Sequence, residues 1–183
     1  MSDLAVYPGT FDPLTLGHLD LIRRSRRVFD RLIVAVAGVS LKPTGMFPLP
    51  VRMRLVRESL DEAGLHDVQI APLDTLLVDF CRTHGVRTVV RGLRAYSDFE
   101  YEFQMALTNR KLEPQIETLF LMPSEEHSYV TASTVREIVR YGGDVAQFVP
   151  PAVHRYLMQM PADQSNTRLD KGGPRGNAGA FDR

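Results

Sequence analysis

Two rhythms of apolar and polar residues run along this chain. Short continuous apolar runs, LAVY at 4–7 and LIVAVAG at 32–38, read as strands. The second is the kind buried on both faces of a parallel sheet. Residues 68–71, 88–91 and 116–121 are shorter runs of the same character. Between them the spacing turns helical. Over about 17–29, Leu19, Ile22 and Phe29 share a side opposite Arg23, Arg24, Arg26 and Arg27, which read as a solvated face. Over 51–65 the pattern puts Val51, Leu55, Val56 and Leu60 inward and Arg52, Arg54, Arg57, Glu58 and Asp61 outward, with Gly64 closing the helix. A helix over about 75–84 stops at Gly85. Another over about 97–111 carries Phe99, Phe103 and Leu107 at core spacing. After the fifth strand, Thr131 or Ser133 caps a helix through Arg140, closed by Gly142-Gly143, and Pro150 begins a final helix to about Met160.

Strands alternating with helices predict an α/β fold: a five-stranded parallel sheet, doubly wound in the Rossmann manner, followed by C-terminal helices. Beyond Met160 the apolar content falls away, so residues 1–160 are expected to form the domain and 161–183 a disordered tail.

Composition narrows the class. The chain has 183 residues, enough for one domain with a real core, and 22 basic residues balance 22 acidic ones. That neutrality argues against a nucleic-acid partner. The single cysteine, Cys81, excludes an internal disulfide and suits a reducing cytosol; its apolar surroundings predict a buried, inert thiol. The sequence shows neither a signal-peptide pattern nor a run of membrane-spanning length, so a soluble cytoplasmic protein with no membrane partner is expected. The five histidines have no metal-ligand spacing, and neither a Walker A loop nor G-x-G-x-x-G occurs.

The chemistry concentrates at strand exits, where such sheets bind ligands. After the first strand, Pro8-Gly9 marks a turn, and Thr10-Phe11-Asp12-Pro13 leads to Thr15-Leu16-Gly17-His18 at a helix start. Unpaired N–H groups and the helix dipole make that start an anion site; Gly17 permits close approach, and His18 and Thr10 offer side-chain donors. Lys42 follows the second strand, Arg91 and Arg94 the fourth, and the hydroxyl-rich stretch 124–133 the fifth. No serine elbow or other obvious nucleophile–base pair accompanies them. This set suits phosphoryl or nucleotidyl transfer, in which a protein mainly positions phosphates and stabilises charge.

GTFDPxTxGH resembles the signature of the nucleotidyltransferase superfamily with a (His/Thr)-x-Gly-His motif. Together with Lys42, VRGLRAYSDFEYEFQMALTNRKL and FLMPSEEHSYVTASTVRE, it resembles the bacterial phosphopantetheine adenylyltransferase family from about residue 4 to 157. The resemblance implies a nucleotidyltransferase fold and transfer of AMP from ATP to 4′-phosphopantetheine, giving dephospho-coenzyme A and pyrophosphate without a covalent intermediate. Mg²⁺ would be held mainly by the ATP phosphates, with no metal ligands from the protein.

Carried over by resemblance, His18 stabilises the transition state and Thr10 holds the acceptor phosphate, also contacting ATP. Phe11 lends backbone contact to ATP, and Lys42 aligns the acceptor phosphate. Arg91 meets the pantetheine substrate, and Leu77 lines the pocket for its arm. Gly92, Leu93 and Arg94 contact the nucleotide, as does Glu102. His127, Ser128, Tyr129, Val130, Thr131, Ala132 and Ser133 wrap triphosphate and adenine. The family also implies a homohexamer and feedback binding of coenzyme A. The chain departs from the family at Thr131-Ala132-Ser133, where a serine run is common, and at His127, where an aromatic often stands. Its Lys42 loop has one extra residue, and Pro50-Val51 replaces common acidic residues. Two other readings stay open: a related nucleotidyltransferase with another phosphorylated acceptor, and a catalytically silent nucleotide-binding module. RGLR–DFEYE and the apolar residues 76–80 weigh against the former, and the presence of His18, Lys42 and Arg91 against the latter.

Overall fold

The architecture is taken from a computed structural model that describes residues 3–38, 45–93 and 96–160. Lys42, Arg94 and the expected tail at 161–183 lie outside the described residues. The elements, in chain order, are β1 (Leu4–Gly9), α1 (Leu16–Val28), β2 (Arg31–Ala37), α2 (Leu49–Glu62), β3 (Gln69–Leu73), α3 (Leu77–His84), β4 (Thr88–Gly92), α4 (Tyr96–Leu112), β5 (Glu117–Leu121), α5 (Ala132–Arg140) and α6 (Pro151–Gln159). A 3₁₀ turn, Glu125–His127, precedes α5, and Thr131 is the residue that caps that helix.

The five strands form one parallel sheet in the order β3-β2-β1-β4-β5. Successive side chains of a strand point to opposite faces, so a strand covered on both sides must be apolar throughout. β2 shows this. Leu32, Val34 and Val36 join Leu21, Ile22, Leu55, Leu60, Val135 and Val153 in one core. Ile33 and Ala35 join Val78, Phe80, Cys81 and Val89 in the other.

From the central β1 the chain winds outward through β2 and β3, then returns to place β4 and β5 on β1's other side. The β1–β4 edge is therefore the switch point at which connections depart in opposite directions, where doubly wound sheets bind ligands. The two strands part early there. β1 is registered with β2 from Leu4 through Gly9, but with β4 only at Ala5 and Val6.

This parting explains why β1 does not end at Pro8-Gly9 as the turn signal predicts. In a strand, one residue's N–H and C=O point to the same side. The Pro8 carbonyl accepts a bond from Arg91 Nη1 at 3.0 Å, so the missing proline donor also faces the opened edge, where no ladder bond is lost.

Two further expectations are overturned. Arg52 is not on the outer face of α2: it is only 4% exposed. The aromatic row of α4 is not core. Phe99, Phe103 and Leu107 are 44%, 46% and 49% exposed, while Glu102, Ala106 and Asn109 turn toward the protein. Apolar spacing located one face of α4 correctly, but the polar face is the one applied to the domain. Among the described residues, no helix is long and apolar enough to cross a membrane.

Candidate active site

The T-x-G-H segment forms a capping box. Thr15 is the N-cap of α1, and its Oγ1 accepts the His18 N–H at 3.3 Å, while the Thr15 N–H donates to His18 Nδ1 at 3.0 Å. A backbone amide can only donate, so Nδ1 must supply a lone pair. The neutral ring therefore carries its proton on Nε2, which makes that nitrogen a donor. Phe11 buttresses the imidazole, edge-on at 5.3 Å, and packs on Tyr7 at 5.5 Å. Phe11 is buried and holds φ at 47°, a left-handed conformation costly for a residue with a Cβ. Its ring is thus committed to the interior, and only its backbone lies in the loop.

The next residue anchors that loop. The buried Asp12 carboxylate accepts the Met46 N–H at 2.7 Å and the Phe47 N–H at 2.9 Å. The Asp12 carbonyl accepts from Arg136 Nη1 at 2.6 Å, which ties α5 to the same turn. Arg52 donates to the Thr10, Ala37 and Phe47 carbonyls at 2.6, 2.8 and 3.0 Å. Burial lowers the Arg52 pKa, while Asp12 draws it upward.

Across the parted strands stands Arg91, held by Glu102 through a two-point pair at 2.5 and 2.6 Å. Burial alone would depress the Arg91 pKa, but the bonds and charge of Glu102 outweigh it, and the net shift is upward. Gly92 follows because α1 presses on β4: a Cβ there would lie 2.4 Å from Leu21 Cδ1. Gly17 serves a similar approach, since its Cβ would sit 3.1 Å from the His127 carbonyl. That contact and the bond from the Ser124 N–H to Asp20 Oδ2 (2.8 Å) hold the post-β5 loop against α1.

These elements enclose a crevice of about 510 Å³ with two kinds of wall. Thr10, Gly17, His18, Arg91 and Glu102 contribute polar lining, Leu73, Leu77, Met105 and Ala106 apolar lining, and the buried Asn109 an amide. Of the residues expected at the site, Thr10, His18, Leu77, Arg91, Gly92, Glu102 and Val130 line this crevice. Phe11 lies beneath it. Leu93 follows β4, with its N–H bonded to the Leu121 carbonyl at 3.0 Å.

The late loop is arranged differently from a continuous wall. His127 pairs with Glu126 at 3.1 Å. Ser128 Oγ bonds the Glu125 carbonyl, and Tyr129 is largely exposed. Thr131 Oγ1 accepts the Thr134 N–H at 3.0 Å, and Ser133 Oγ accepts from Arg136 at 3.1 Å. Ala132 opens α5. Among the described residues, no group of three or more His, Cys, Asp or Glu side chains is placed to hold a metal.

Residues 6–138 match the cytidylyltransferase-like family model. The phosphopantetheine adenylyltransferase of Alkalilimnicola ehrlichii is 54% identical over 160 residues, covering 86% of this chain and 90% of that protein. The phosphopantetheine adenylyltransferase of Methylococcus capsulatus is 50% identical over 159 residues, covering 87% of this chain and 96% of that protein. The chain belongs to the phosphopantetheine adenylyltransferase family. It is accordingly a nucleotidyltransferase enzyme of coenzyme A biosynthesis. A solved bifunctional NMN adenylyltransferase/ADP ribose pyrophosphatase from Francisella tularensis shares the fold, with a TM-score of 0.68 at 17% identity, over 86% of this chain and 49% of that one.

Within this member of the family, three residues around the crevice escape a pattern-based reading. Asn109 stands seven residues after Glu102, on the same face of α4, so the pairing of polar residues at helical spacing was an available signal. Arg52 lies three and four residues before Leu55 and Val56, at the spacing of the inner face; its charge hid it. Asp12 carried no periodic signal at all.

Proposed function

We propose that this crevice transfers the adenylyl group of ATP to 4′-phosphopantetheine. An oxygen of the acceptor phosphate attacks the α-phosphorus in line. The new P–O bond forms as the bond to the β-phosphate bridging oxygen breaks, giving dephospho-coenzyme A and pyrophosphate. The observation that supports this reading most is that one crevice combines groups suited to phosphate with apolar side chains and a buried amide. A pantetheine arm needs apolar walls and a few amide partners, whereas a small polar acceptor does not.

In this reading, His18 Nε2–H and the α1 N-terminus meet charge developing on the transferring phosphoryl oxygens. Thr10 and Lys42 hold the acceptor phosphate in line, and Arg91, fixed by Glu102, stands between nucleotide and pantetheine. The backbone at Phe11, Gly92 and Leu93, together with Arg94 and the segment 127–133, receives ATP. Mg²⁺ would be held mainly by the ATP phosphates and would offset their charge. Residues 1–160 form the working domain, which acts in the cytoplasm.

The chain is further proposed to assemble as a homohexamer. The outward face of α4, where Phe99 and Phe103 stack at 5.5 Å with the exposed Leu107 following them, supports self-association. Incubation with MgATP and 4′-phosphopantetheine should yield dephospho-coenzyme A, identified by mass, with pyrophosphate in equal amount. An adenylylated product from another acceptor only would overturn the assignment of the apolar chamber.

A further inference from the structure

Arg52 presents an unusual use of a charge. Its side chain is buried, yet among the described residues no carboxylate lies in ion-pair contact with it. The guanidinium instead donates to four backbone carbonyls: Thr10 at 2.6 Å, Ala37 at 2.8 Å, Phe47 at 3.0 Å and Gly38 at 3.4 Å. Those oxygens belong to the exit of β1, the exit of β2 and the approach to α2. Asp12, from the same turn as Thr10, completes the tie by accepting the Met46 and Phe47 N–H groups. The 10–12 turn is thus linked through Arg52 to Gly38 and bonded directly through Asp12 to Met46 and Phe47.

Burying a guanidinium is expensive, and an aliphatic side chain would fill the same space at less desolvation cost. What the aliphatic chain lacks is five donors in a rigid plane, able to fix several carbonyls relative to one another. A lysine ammonium has three donors at a single point and cannot span the same set.

We propose that Arg52 is a positioning residue for the transfer reaction, fixing the crevice-lining Thr10 turn relative to the β2 exit and the start of α2. This rests on the adenylyl-transfer reading above. In-line displacement is sensitive to alignment, where a displacement of about 1 Å can cost on the order of a hundredfold in rate. Binding distributed over the rest of the crevice depends on it far less. Arg52 therefore acts on turnover through Thr10 rather than by touching substrate.

The test is Arg52→Lys, measured with both substrates and by residue-resolved amide hydrogen exchange. The expected result is a kcat at least about tenfold lower per folded molecule, with the KM for ATP within about twofold. In the substrate-free protein, the Met46 and Phe47 amides should exchange at least about tenfold faster while Val6 and Val34 in the sheet stay unchanged. An unchanged kcat, or exchange raised uniformly through the sheet, would overturn the proposal by reducing Arg52 to general stability. If Arg52→Lys does not fold, Asp12→Asn carries the same test, because its amide nitrogen cannot accept one of the two N–H bonds. The same split between kcat and KM, at smaller size, is then expected, and its absence would overturn the proposal. A wild-type protein that releases no pyrophosphate with any acceptor would contradict the transfer reading; the exchange result would still decide the positional tie.

Discussion

His18 derives its chemical character from a backbone amide. The Thr15 N–H takes the Nδ1 lone pair, so the capping box leaves the neutral ring's proton on Nε2. Removing that donor while keeping Gly17 and the helix start should cost about 2.7–4 kcal/mol of transition-state stabilisation, the scale of one oxyanion-type donor. His18→Ala is thus expected to retain its unfolding midpoint approximately but lose about two to three decades in kcat. An unchanged kcat in a folded variant would take His18 out of the mechanism. Cys81 gives the opposite case, a group with its chemistry silenced. Burial pushes its thiol up to about 11 from an ordinary 9.0. Between those values the folded state keeps a proton that the unfolded chain releases, so stability is intact below pH 9 and falls as pH rises toward 11. About 2–3 kcal/mol is at stake. Urea unfolding of wild type against Cys81→Ala should show this slope only where the thiol is present. At this scale the sequence was informative about place: Thr15-Leu16-Gly17-His18 stands at the start of α1, as its pattern predicts. It misled where charge was equated with exposure: Arg52 sits at inner-face spacing, but its partners are carbonyls from three distant segments, and no local pattern encodes them.

Among elements, the decisive feature is the early parting of β1 and β4. It leaves the Pro8 carbonyl to Arg91 and opens the crevice at the switch point of the sheet. The alternation of strands and helices made this sheet legible, because continuous apolar runs such as that of β2 admit few other arrangements. The length of β1 was not legible, since Pro8-Gly9 signals a turn unless the neighbouring edge is known to be open. α4 failed for a related reason. Periodicity identifies a stripe but not what lies against it, and Glu102 and Asn109 face the crevice because Arg91 and the chamber are there to receive them. The α1–β4 packing can be tested directly. Gly92→Ala would set a methyl 2.4 Å from Leu21 Cδ1, an overpacking that should cost about 1–3 kcal/mol in urea unfolding. The double variant Gly92→Ala, Leu21→Ala should recover part of the overpacking cost relative to Leu21→Ala alone. Without that recovery, the close contact is not what restricts position 92.

On the scale of the whole molecule, the aromatic face of α4 and the crevice are two sides of one helix: Phe99 and Phe103 point away from the domain, and Glu102 and Asn109 toward it. Covering the outer face would hold the inner one against the substrate chamber, which links the proposed assembly to the proposed chemistry. Phe103→Lys should lower the mass measured by light scattering from that of a hexamer and raise the KM for 4′-phosphopantetheine. An unaltered mass would detach this face from assembly. The central claim concerns the combination of phosphate-suited and apolar lining in one crevice, and pyrophosphate release from MgATP tests it most directly. Release with 4′-phosphopantetheine, and not with nicotinate mononucleotide or glycerol phosphate, is the predicted result. Release only with one of the smaller acceptors, or none from a folded protein that binds ATP, would contradict it.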